Sequence, residues 1–140
     1  MTIPEAETGS QRRLGRSIAA VLIGIAVGAL LSLGTDQLLH VLKVYPPWGA
    51  PMYDPALNLL ALSYRIVFSI LACYIIARLA PHSPMRHALI GGVIGFVLSL
   101  IGAIVAIPMK VGPTWYPVLL ALTSIPCAWI GGSLYVRQKE

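Results

Sequence analysis

Four long apolar runs divide the chain, and each is bounded by a short segment in which prolines, glycines and charges gather. A helix needs about 20 residues to cross a hydrocarbon core, and each run is long enough to do so. The pattern predicts helices over about 16–42, 55–79, 85–107 and 115–136, within one domain covering 1–140. Residues 1–13, polar and without periodicity, are expected to form a flexible cytoplasmic tail. Arg12, Arg13 and Arg16 followed by an apolar run also fit a secretory leader. The run is longer than a usual leader core, no A-x-A site follows it and further apolar runs come after, so it is read as an uncleaved first helix.

Punctuation supports the boundaries. In "KVYPPWGAPMYDP", Pro46, Pro47, Pro51 and Pro55 with Gly49 rule out a continuing helix, because proline lacks the amide donor and restricts the residue before it. Asp54 before Pro55 reads as an N-cap and first turn. Tyr45, Trp48 and Tyr53 are amphipathic rings of the kind that settle at a membrane surface. "APHSPMRH" is a second turn and "PMKVGPTW" a third. Pro126 falls inside the fourth helix, where Thr123 or Ser124 is expected to satisfy the carbonyl it frees near Leu122.

Composition agrees with this reading. The 140 residues are 57% hydrophobic and 11% charged, with a mean hydropathy of +0.80, more apolar surface than a soluble domain of this size can hide. The net charge of +5 does not imply nucleic acid, because the basic residues punctuate apolar runs instead of clustering with aromatics. Arg12, Arg13, Arg16, Arg78, Arg86, Arg137 and Lys139 fall at one set of helix ends, against Lys43 and Lys110 at the other. The expected fold is therefore all-α: an integral membrane, antiparallel four-transmembrane-helix bundle with both termini cytoplasmic.

Small residues recur every fourth position along three helices: Ala20, Gly24 and Gly28; Gly91, Gly95 and Ser99, continued by Gly102 and Ala106; and Ser124, Ala128 and Gly132. Such stripes let backbones approach closely where lipid removes the hydrophobic drive to associate. They are read as packing within one chain, with a dimer face as the second reading of the first stripe. The third helix is expected to be the most closely surrounded.

Candidate chemistry centres on Asp36 and Arg65. At 1.5 Å per residue they lie about 9 Å and about 15 Å below the same surface. Side chains lean toward the start of their helix, so on antiparallel neighbours these two lean toward one another. An unpaired charge at this depth costs about 3 kcal/mol, which pairing avoids. His40, one turn after Asp36, together with Tyr64 and Gln37, completes an expected polar cluster. It is either a structural latch of the hairpin or a site that binds a proton or an anion.

Other chemistries find less support. Cys73 and Cys127 lack CxxC spacing and are read as buried free thiols. His82 and His87 lie in one turn and His40 near the opposite surface, so neither a metal nor another cofactor is expected. No nucleophile, base and acid fall together, which argues against an enzyme.

The segments "GTDQLLH", "PPWGAPM", "YR", "PMRHALIGG" and "WYP" resemble a family of small bacterial four-helix integral membrane proteins to which no activity is attached. The resemblance implies a bacterial inner-membrane setting; the residues themselves give a multi-pass protein with the lipid bilayer, and a homo-oligomer or a larger membrane complex, as expected partners. Two functions are expected from the residues. One is an oligomeric or accessory membrane module with a structural Asp36/Arg65 pair; the alternative is a small transporter or channel subunit that uses the Asp36/His40/Arg65 cluster.

Overall fold

The computed structural model describes residues 5–140, with side chains from Thr8 onward. Four helices make up the fold: α1 (Glu5–Val41), α2 (Pro55–Leu79), α3 (Pro84–Met109) and α4 (Trp115–Lys139). All four are long and apolar enough to cross a membrane. Asp54 caps α2 by accepting the Ala56 amide at 2.8 Å, with Pro55 in the first turn.

The helices differ from the expected ones mainly at their ends. α1 starts at Glu5, so the part of the expected tail from Glu5 to Arg13 is helical; residues 1–4 lie outside the described residues. No proline falls between Glu5 and Arg16, and a helix already nucleated in an apolar segment propagates cheaply through Gln11, Arg12 and Arg13. At 37 residues, α1 is about 55 Å long and outreaches a hydrocarbon core of about 30 Å. α3 runs on through Pro108 to Met109, and α4 continues to Lys139. Around Pro126, Thr123 and Ser124 both donate to the Leu120 carbonyl at 3.1 Å, one turn back, and not to that of Leu122.

Facing residues fix the topology. Gly24 lies against Ile76 and Ala72, Gly28 against Ala72 and Asp36 against Arg65, so α1 and α2 run antiparallel. Gly92 meets Ala128, and Gly132 meets Met85 and Ala88, so α3 and α4 do likewise. α2 and α4 are parallel, with Gly131 seated on Ile70 to Tyr74 and Arg65 near Tyr116. α2 and α3 thus lie between α1 and α4, which do not touch. One end of the bundle carries the chain termini and the α2–α3 turn. The other, the hairpin end, carries the α1–α2 loop and the α3–α4 turn.

The core is built mainly of alanines, glycines and the two cysteines, joined by Leu62 and Tyr45, with Ile76 its largest fully buried side chain. Leu, Ile and Val side chains face outward from every helix. The stripes predicted from spacing are largely used inside the chain: a Cβ on Gly24 would stand 2.7 Å from the Ala72 carbonyl, and Ala20 and Ala128 are buried. The third helix is not the most enclosed, however. α2 buries seven residues and α3 five, because the far part of α3 faces a void.

Candidate functional site

Asp36 and Arg65 form an ion pair between α1 and α2, with the Arg65 Nη2 donating to Asp36 Oδ2. Asp36 is buried, and its other oxygen accepts the Tyr64 hydroxyl. That proton being spent, the 3.0 Å contact between the Tyr45 and Tyr64 hydroxyls has Tyr45 as donor. A relay runs from Tyr45 through Tyr64 to Asp36, so both carboxylate oxygens are engaged. Tyr45 belongs to the loop yet is buried, and burial pushes its phenol above the ordinary value and keeps the proton it donates. On the far side, the Arg65 guanidinium carbon sits 5.9 Å from the centre of the Tyr116 ring of α4, within cation–π range.

Two residues of the expected cluster do not bond the Asp36 carboxylate, although His40 lines the same cavity. His40 Nδ1 donates to the Asp36 backbone carbonyl at 2.6 Å, not to the carboxylate. Its ring stacks on Trp48, centroids 3.8 Å apart and 7° from parallel. Gln37 accepts the Trp48 indole N–H at 3.1 Å. Both therefore position the loop. A turn places the indole there: Ala50 N donates to the Pro47 carbonyl, and Gly49 holds φ +84° at the turn's third position, which glycine adopts without steric cost.

The loop is tied down across the bundle. The Met52 amide donates to the Val111 carbonyl at 2.7 Å, and the Tyr53 hydroxyl to the Lys110 carbonyl at 2.6 Å. Buried Asn58 donates to the carbonyls of Met52 and Asp54, at 3.0 and 2.9 Å.

Below this roof is a half-open cavity of about 620 Å³. Asp36 and Arg65 stand on one wall, and Ser99, Gly102, Ala103 and Ala106 of α3 on another, with Tyr116 and Leu120 of α4 between. Its surface is mostly apolar. Nothing stands within 4 Å of where a Cβ on Gly102 would be, so this stretch of the α3 stripe borders space instead of a helix. Arg65 has one hydrogen-bond partner among the described residues, Asp36, and its Nε is buried without any.

Tyr45, Tyr116 and Asn58 are missed by reading the sequence. The first two look like interfacial rings, and Asn58 gives no signal beyond being a buried amide one turn into a helix. At the termini end, His87 is buried, with Nδ1 donating to the Ser83 carbonyl at 3.0 Å and Nε2 2.8 Å from the Ser17 hydroxyl, which joins α3 to α1. Cys73 and Cys127 are buried and free. Among the described residues no group of three or more His, Cys, Asp or Glu is placed to hold a metal ion. Comparison of the chain with models of protein families, with curated proteins and with solved structures gives no match.

Proposed function

We propose that this chain is a multi-pass protein of the bacterial inner membrane, both termini cytoplasmic, that binds a small molecule in the cavity at its hairpin end. The excess of basic residues at the termini end supports the orientation. One observation carries the binding reading: a guanidinium that is only partly satisfied faces a largely apolar space of about 620 Å³. That volume suits a drug-sized guest, and intramembrane ions mark functional sites by default. A latch alone has no use for such a void. The protein then serves as a small carrier, or as the solute-binding member of a larger membrane assembly.

The latch is the second reading, favoured by the relay from Tyr45 to Asp36, which joins α1, α2 and the loop without reference to the cavity. The two separate when the chain is purified in mild detergent and weighed by native mass spectrometry. A retained small molecule that Ser99→Leu abolishes, at unchanged helical circular dichroism, supports binding. No retained mass, together with no solute flux in reconstituted vesicles, leaves the latch. Reporter fusions at both termini test the orientation, and an external terminus overturns it.

A further inference from the structure

The unoccupied hydrogen-bonding capacity of the cavity defines what it accepts. Building on the binding role proposed above, we infer that the guest is an uncharged, mostly apolar molecule whose polar end is a hydrogen-bond acceptor, such as a carbonyl oxygen, seated on the free edge of the Arg65 guanidinium.

Three observations lead there. Asp36 offers little to a guest, because its carboxylate is buried and each oxygen already accepts one hydrogen bond, from Arg65 or from Tyr64. Arg65 offers much, because a guanidinium has five N–H bonds and only the one to Asp36 is matched among the described residues. About a quarter of its side chain remains accessible (27%) and lines the cavity. At the Arg65 edge the polar end of the guest is therefore an acceptor and not a donor.

Charge narrows the class. Asp36 and Arg65 cancel, and among the described residues they are the only Asp, Glu, Lys or Arg side chains on the cavity wall, which His40 also lines. An anion would leave a net negative charge against a mostly apolar lining, a costly arrangement without a counter-ion. A cation would be repelled by Arg65 and find the Asp36 carboxylate buried and already paired. A neutral acceptor gains a charge-assisted hydrogen bond at no change in net charge. The α3 wall of Ser99, Gly102, Ala103 and Ala106 leaves room for an apolar body beside that contact.

Photolabelling in lipid nanodiscs of the full chain tests this. Four probes share a diazirine-bearing saturated chain of about ten carbons, a length within reach of such a cavity. They end in a methyl ketone, a carboxylate, a trimethylammonium or a plain methyl. The ketone is expected to label Ser99, Gly102, Ala103 and Ala106 at least about tenfold more than the methyl probe, the gain from one hydrogen bond to a charged donor. In Arg65→Lys, which keeps a cation opposite Asp36 but loses the planar fork, that ratio falls toward one.

Preferential labelling by the carboxylate or the ammonium overturns the neutral guest and leaves the cavity reading standing. If no probe marks this wall above the outward-facing Ile104 and Val105, the cavity reading itself fails. Should Arg65→Lys not fold, Ser99→Leu is the substitute, since it fills the space without touching the ion pair; ketone labelling that survives it overturns the inference.

Discussion

At the termini half of the bundle, Gly131 is pressed against α2, and a Cβ there would stand 2.8 Å from the Tyr74 backbone nitrogen. At the hairpin half, Gly102 has nothing within 4 Å of the same position. Both glycines belong to runs of small residues on apolar helices. In the first half Gly92 meets Ala128, Gly132 meets Ala88 and Gly24 meets Ala72. In the second, Ser99, Gly102, Ala103 and Ala106 border open space, and the groups opposite are a carboxylate and a guanidinium. A small residue permits close approach but does not cause it. Where the facing position holds a long ionic side chain, the helices stand apart and the small residues make a cavity instead of a seam.

The comparison can be broken at several points. Asp36→Asn should have the largest effect, about 3 kcal/mol of stability lost in detergent unfolding, because Arg65 keeps its charge without a counter-ion. Exchanging the pair, Asp36→Arg with Arg65→Asp, should recover part of what each single change loses. No recovery would mean that the pairing is not what the two side chains contribute. Gly131→Leu comes next, at about 1 to 3 kcal/mol in the same assay, since backbone atoms of α2 cannot move aside. Tyr64→Phe should cost about 1 kcal/mol by leaving one Asp36 oxygen without a donor. Gly102→Leu should change stability least, within about 0.5 kcal/mol, while abolishing any guest binding. Equal losses for Gly102→Leu and Gly131→Leu would show that the two halves are packed alike.

Much of the scaffold was legible from residue types. Asp54 with Pro55, and Pro81 with Pro84, mark the ends of α2 and the start of α3, because proline and capping chemistry act locally. The facing of Asp36 and Arg65 followed from helix rise and side-chain lean. The cavity was not legible, because a stripe of small residues reads the same whether a helix or a space lies opposite. His40 lines the same cavity as Asp36 and Arg65, but its bonding was not legible for a related reason. Helical spacing places it beside Asp36, but Trp48, delivered by a turn in the loop, holds its ring away from the carboxylate. Tyr45 and Tyr116 belong to the site only because the loop folds inward and α4 runs alongside α2, tertiary facts with no trace in local sequence.

The two bonds that stitch the loop to the α3–α4 turn are Met52 to Val111 and Tyr53 to Lys110, and they would also govern exchange of the proposed guest. Each is worth about 1 kcal/mol net, so a lifted flap would be present in only about 3% of molecules if nothing else held it. Pro46, Pro47 and Pro51 stiffen the strip between those stitches and α1, which makes it swing as one piece. Exchange of the proposed guest by that route would be paced by a rare shutter, and disabling either stitch should quicken it without altering which guest is held.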